Sequence, residues 1–201
     1  MDRFRPWLLI SILAALWVAM LFLGGPASDA DGALAGLFHV PALVPAARLL
    51  THLGDWTILL PLTLAGAAAL VFLRSPRAGI LYLILILGGR LLVEFEKAAI
   101  GRARPDESGR LVEVASLSYP SGHAAYSTMT WLGFALLAVS SPRLRAPAVA
   151  LALVLAGLVG LTRLVLAVHW PSDVIGGWAF GAGWTLLLVR LAGGTRARQP
   201  H

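Results

Sequence analysis

Polar residues able to hold and transfer an anion gather in three short segments of an otherwise apolar chain. The first runs from Lys97 to Arg104-Pro105. The second is Tyr119-Pro120-Ser121-Gly122-His123, and the third is Thr162-Arg163 followed by His169 and Asp173. Ionisable groups set among apolar runs are costly, so a functional role is their default reading. Lys97, Arg104 and Arg163 would repel one another unless an anion sat between them. A guanidinium fork matches phosphate oxygens with paired hydrogen bonds, and an ammonium adds a point charge. Pro120-Ser121-Gly122 reads as a turn opening a helix, which offers backbone N–H groups and the Ser121 hydroxyl to the same anion. Of His123 and His169, one neutral imidazole can attack phosphorus while the other, protonated, donates to the leaving oxygen. Asp173 follows His169 by four residues and can accept from that ring, fixing its tautomer. Spacing alone leaves open which histidine attacks.

Taken together, the three segments resemble the three-part signature of the type 2 phosphatidic acid phosphatase superfamily. That signature is a Lys with Arg-Pro seven residues on, then Pro-Ser-Gly-His, then Ser-Arg with His and Asp at set spacings. Lys97 with Arg104-Pro105, Pro120 to His123, and Arg163 with His169 and Asp173 fit it; Thr162 stands where the pattern has Ser and keeps the hydroxyl. The resemblance implies that His169 is the nucleophile and forms a phosphohistidine. It implies that Asp173 orients His169 and that His123 is the general acid. Lys97, Arg104, Ser121, Gly122 and Arg163 become the phosphate cradle. It also implies that no metal and no other cofactor is used. The family's kinship with vanadium haloperoxidases implies inhibition by vanadate.

Such a site needs helices to hold it, and the composition supplies them. The chain has 201 residues, 58% hydrophobic and 13% charged, with a mean hydropathy of +0.80. A soluble domain carries nearly twice that share of charge. Runs long enough to span a bilayer fall at about 7–24, 56–73, 79–95, 124–139, 148–168 and 174–191. Pro41 and Pro45 interrupt the apolar stretch 34–50, which reads as interfacial. The expectation is an all-α, polytopic membrane bundle of about six transmembrane helices, forming a single domain over 1–201. The first run is longer than a signal-peptide core and is read as a retained helix. Arg3 and Arg5, Arg74 and Arg77, Arg143 and Arg145, and Arg196 and Arg198 fall on one side of six spans. The positive-inside rule makes that side, with both termini, cytoplasmic. The three polar segments then face the periplasm or exterior of a bacterial inner membrane.

Several other residues receive a blander reading. Arg90 and Glu94, four apart, are expected to pair inside the bundle. Arg102 is balanced between touching phosphate or headgroup and lying outside the cradle. Tyr126 is read as packing, and His39 and His52 as interfacial. Gly176, Gly177 and Gly183 are read as points of close helix approach rather than a phosphate loop. The net charge of +6 sits in short clusters between apolar runs, which excludes a nucleic-acid face. With no cysteine there is neither a disulfide nor a thiolate metal site. The expected partners are the bilayer and a lipid phosphate; no oligomeric state is assigned. The expected activity is removal of phosphate from a lipid such as undecaprenyl pyrophosphate, phosphatidylglycerol phosphate, phosphatidic acid or lipid A. The alternatives are a lipid-to-lipid phosphotransferase on the same scaffold and a non-catalytic carrier of lipid phosphate. A carrier has no use for the His169–Asp173 pair.

Overall fold

The computed structural model describes residues 4–194. Arg3, Arg196 and Arg198, which the topology reading uses, lie outside the described residues. Among the described residues the regular structure is helical throughout, as the hydropathy runs imply. The helices are α1 (Arg5–Leu23), α2 (Asp29–Gly36), α3 (Val44–Thr51), α4 (Trp56–Leu73), α5 (Pro76–Leu83), α6 (Gly89–Ile100), α7 (Gly122–Ala138), α8 (Pro142–Val165) and α9 (Pro171–Gly194). A π-helical turn, Ile84–Gly88, joins α5 to α6 in one rod. Such a turn carries one residue more than an α turn and so rotates the faces of α6 relative to those of α5 by about 100°.

Five helical segments are long and apolar enough to cross a membrane: α1, α4, the α5–α6 rod, α8 and α9. The sixth member of the bundle, α7, has 17 residues and sits in the middle, against α4, α8 and α9. Its Ser127, Thr128 and Thr130 are buried, and the first two return their hydroxyls to carbonyls of their own helix. Polar side chains are thereby tolerated away from lipid. Gly177 and Gly181 of α9 let that helix touch α7: a Cβ on either would stand 2.6–2.8 Å from the Ser121 or Ala125 carbonyl oxygen. Outward faces are apolar. No residue of α1 is buried, and Phe72, Leu91 and Phe95 are among the most exposed side chains. That pattern suits a helix surface solvated by lipid.

The stretch 34–50 forms short elements: the end of α2, a 3-10 turn at Pro41–Leu43 and most of α3, with α2 and the 41–54 segment bent by 71°. Pro41 and Pro45 divide the stretch by opening these short elements, where a missing N–H costs nothing. α3 packs against α8 near the end of the bundle that carries the histidines.

Candidate active site

Three breaks between helices deliver the polar residues to one place. α6 ends at Gly101, whose φ of 67° caps the Lys97 carbonyl in a left-handed conformation that favours glycine. The chain then turns through 102–121 over the bundle end. α7 begins at Gly122, so its first N–H groups are free of intrahelical partners. α8 ends beyond Arg163, and 166–170 turn back into α9 with His169 at the bend.

A cavity of about 220 Å³ opens among these breaks. Lys97, Arg104, Gly122, His123, Arg163 and His169 all stand on its wall. Two residues expected at the site stand behind the wall. Asp173 is wholly buried beneath His169, and Ser121 is wholly buried with its hydroxyl unpartnered.

His169 is held at both ring nitrogens. Nδ1 lies 3.2 Å from Asp173 Oδ2, while Nε2 lies 2.9 Å from an Arg104 amino group. Arginine only donates, so Nε2 presents a lone pair and Nδ1 carries the proton toward Asp173. Burial, and then the neighbouring Arg104, Lys97 and Arg163 charges, press the His169 pKa well below the usual histidine value. The ring is therefore neutral at physiological pH. Arg104 also donates to the Ser116, Leu117 and Val168 carbonyls, which fixes its fork, and burial lowers its pKa to about 10 without discharging it.

Asp173 is itself surrounded. Its carboxylate accepts from the Ser118 hydroxyl, from the Trp170 N–H at 2.9 Å and from Arg102 at 2.9 Å. Here the structure decides the role of Arg102: it points away from the cavity. It donates to Asp173, Ser172 and the Met20 and Leu21 carbonyls of α1, over the Tyr119 ring. Asp31 of α2 accepts from the Ser172 N–H and hydroxyl and so closes the same network.

His123 has a partner that spacing did not reveal. Its Nε2 lies 2.9 Å from Asp55 Oδ1, and Asp55 Oδ2 lies 2.6 Å from His52 Nδ1. Gly54 makes room, since a Cβ there would come within 2.8 Å of the His123 ring. The Asp55 carboxyl is held down at about 2, chiefly by its hydrogen bond with His123. The expected Arg90–Glu94 pair is absent: among the described residues no ion pair joins them. Arg90 stacks instead on Trp56, and Glu94 accepts from the Tyr126 hydroxyl at 2.5 Å.

A cationic cavity holding two oriented imidazoles, at one end of a membrane helical bundle, defines an integral membrane phosphatase. Comparison with known proteins makes the class specific. The profile of the PAP2 superfamily matches residues 78–196, and the chain belongs to that superfamily. It is 34% identical to phosphatidylglycerophosphatase B of Bacillus subtilis (strain 168) over 159 residues, 77% of this chain and 78% of that protein. It is 34% identical to a lipid A 1-phosphatase of Rhizobium etli over 216 residues, 94% of this chain and 84% of that protein. The crystal structure of the first transmembrane PAP2 type phosphatidylglycerolphosphate phosphatase from Bacillus subtilis superposes with a TM-score of 0.82 at 28% identity, covering 98% of this chain and all of that one. The chain is thus a membrane lipid phosphatase of the PAP2 type.

Proposed function

We propose that this enzyme hydrolyses the terminal phosphate of a lipid phosphomonoester or diphosphate through a phosphohistidine on His169. The observation that carries the reading is the His169 ring, with Nε2 turned to the cationic cavity and Nδ1 committed to Asp173. Lys97, Arg104, Arg163 and the Gly122 end of α7 hold the phosphate. The Ser121 hydroxyl, unpartnered beside that helix end, turns to the same anion. Nε2 attacks phosphorus, the bond to the lipid oxygen breaks, and His123 gives that oxygen its proton. Asp173 stabilises the positive charge that grows on His169. A water molecule then attacks the phosphohistidine and gives its proton to His123. The P–N bond breaks and inorganic phosphate leaves. Three cations supply the charge stabilisation, so the reaction runs without a metal ion.

The site faces the periplasm or exterior of a bacterial inner membrane, and both termini are cytoplasmic. Support comes from the opposite end of the bundle, where Arg74, Arg77 and Arg145 surround a second cavity, as the positive-inside rule asks of a cytoplasmic end. Substrates named by the relatives, phosphatidylglycerol phosphate and the lipid A 1-phosphate, come first for testing, beside undecaprenyl pyrophosphate and phosphatidic acid. Phosphate release from this panel, measured with EDTA present, is the test. Release that vanishes in His169→Ala supports the reading. Undiminished release in that variant would refute it. No phosphate release, with the donor lipid losing its phosphate only when an acceptor lipid is added and gains it, would make the enzyme a phosphotransferase.

A further inference from the structure

Arg90 is a charged residue of the α5–α6 rod that the mechanism above does not use. It lies on the wall of the catalytic cavity, with its guanidinium carbon 4.2 Å from the Trp56 ring centre and 5.3 Å from that of Tyr126. Among the described residues it has no hydrogen-bond acceptor and no carboxylate partner. Five N–H donors left empty within a membrane span are expensive. The surroundings hold the side chain rather than satisfy it. Glu94, one turn on, accepts from the Tyr126 hydroxyl and so fixes one of the two rings on which Arg90 stacks. Stacking leaves the guanidinium edge free to donate.

Position gives the empty donors a meaning. Arg90 precedes Lys97 by seven residues on the same helix, so it sits about 10 Å further along the helix axis from the bundle end that holds the cradle. Lys97 belongs to the cradle at the bundle end. In the proposed orientation of the bundle Arg90 therefore lies on the membrane side of the cradle, next to Tyr126, which is three residues beyond His123 on α7. A group bound there belongs to the part of the lipid that stays in the membrane after cleavage.

We propose that Arg90 binds a second phosphate on the lipid side of the scissile bond. This rests on the reading of the site as a lipid phosphatase and names its substrate class: a lipid bearing two phosphates in series. The second can be bonded directly to the first, as in a prenyl diphosphate, or lie across a glycerol, as in phosphatidylglycerol phosphate. In the directly bonded case the leaving group is a phosphate oxygen whose charge Arg90 meets. In the glycerol case the leaving oxygen takes its proton from His123, and Arg90 anchors the phosphodiester.

The test compares kcat/KM for a prenyl diphosphate, phosphatidylglycerol phosphate and phosphatidic acid in detergent micelles, for the intact protein and for Arg90→Met. One charge-assisted contact is worth about 10- to 100-fold. The intact protein is expected to favour at least one two-phosphate lipid over phosphatidic acid by that factor. Arg90→Met should compress the preference by about 10-fold or more, and Arg90→Lys should restore part of it. The lipid that suffers most identifies the spacing. A uniform loss on all three lipids, or none, would overturn the proposal and leave Arg90 a brace for α4 and α7. Should Arg90→Met fail to fold, the intact protein still decides, because equal efficiency on all three lipids refutes a second phosphate site. His169→Ala, run alongside, separates this outcome from failure of the phosphatase reading itself.

Discussion

The molecule contains two histidine–aspartate pairs that face each other across one cavity, and they are built differently. The His169–Asp173 pair is dry: the two side chains are 2% and 0% exposed. The His123–Asp55 pair is wet, at 22% and 32%, and continues outward to a His52 that is 60% exposed. The dry carboxylate is gripped by Arg102, Ser118 and the Trp170 backbone, and through Arg102 it is tied to α1. The wet one is held by two imidazoles alone. A nucleophile must keep one tautomer and one direction, which a rigid, water-free surround provides. A general acid that turns base in the next step must exchange protons, which contact with water permits. The difference in burial thus supports the division of work between the two rings that the proposed mechanism makes, where spacing left the choice open.

The largest effect should come from breaking the dry pair. Asp173→Asn keeps the shape but lets the amide donate to His169 Nδ1, which turns the proton to Nε2 and removes the attacking lone pair. Loss of kcat on the order of 10³-fold or more is expected, with little change in KM, since the cradle is untouched. A fall of less than about tenfold would mean that His169 is not the attacking ring.

Breaking the wet pair should cost less and should leave a mark in the pH dependence. Asp55→Asn removes the anion beside His123, so the imidazolium is harder to keep. The alkaline limb of kcat/KM should move to lower pH, with a loss of about 10- to 100-fold at neutral pH. The same carboxyl also couples pH to stability. Its pKa falls from 3.8 to about 2 on folding, so the folded state favours the anion. Its contribution is complete above about pH 4 and is lost as pH falls toward 2. Acid unfolding of the Asp55→Asn protein should lack that component. Identical acid transitions in the two proteins would show that the pair is not formed in solution.

The contrast between the pairs also marks how far the sequence can be read. His169 and Asp173 are four residues apart across the start of α9, so their meeting is legible from spacing. Asp55 and His123 are separated by 68 positions, and Arg102 and Asp173 by 71. No periodicity links such residues; Asp55 reaches His123 where the start of α4 meets α7, and Arg102 reaches Asp173 where the loop after α6 crosses the start of α9. The bundle itself is legible because lipid demands long apolar helices. The α7 helix is a partial exception, since its buried Ser and Thr side chains dilute the signal that a lipid-facing helix must give. Arg90 and Glu94 illustrate the opposite error. Their i, i+4 spacing permits an ion pair, yet Trp56 and Tyr126 arrive from α4 and α7: both rings stack on Arg90, and the Tyr126 hydroxyl occupies Glu94.

The smallest effect is expected at the outer end of the wet pair. His52 Nδ1 reaches Asp55 at 2.6 Å, but its ring stands mostly in water. A contact between exposed groups competes with water on equal terms and contributes little. Water can also occupy the place of the ring and carry protons to and from Asp55, which is itself one-third exposed. His52→Gln should therefore change kcat by no more than about threefold and leave the alkaline limb where it was. A loss of about tenfold, with a solvent isotope effect larger than that of the unmodified enzyme, would make His52 the route by which protons reach His123. The wet pair would then be a three-membered relay with its entrance just past the end of α3, not a dyad open to solvent on its own.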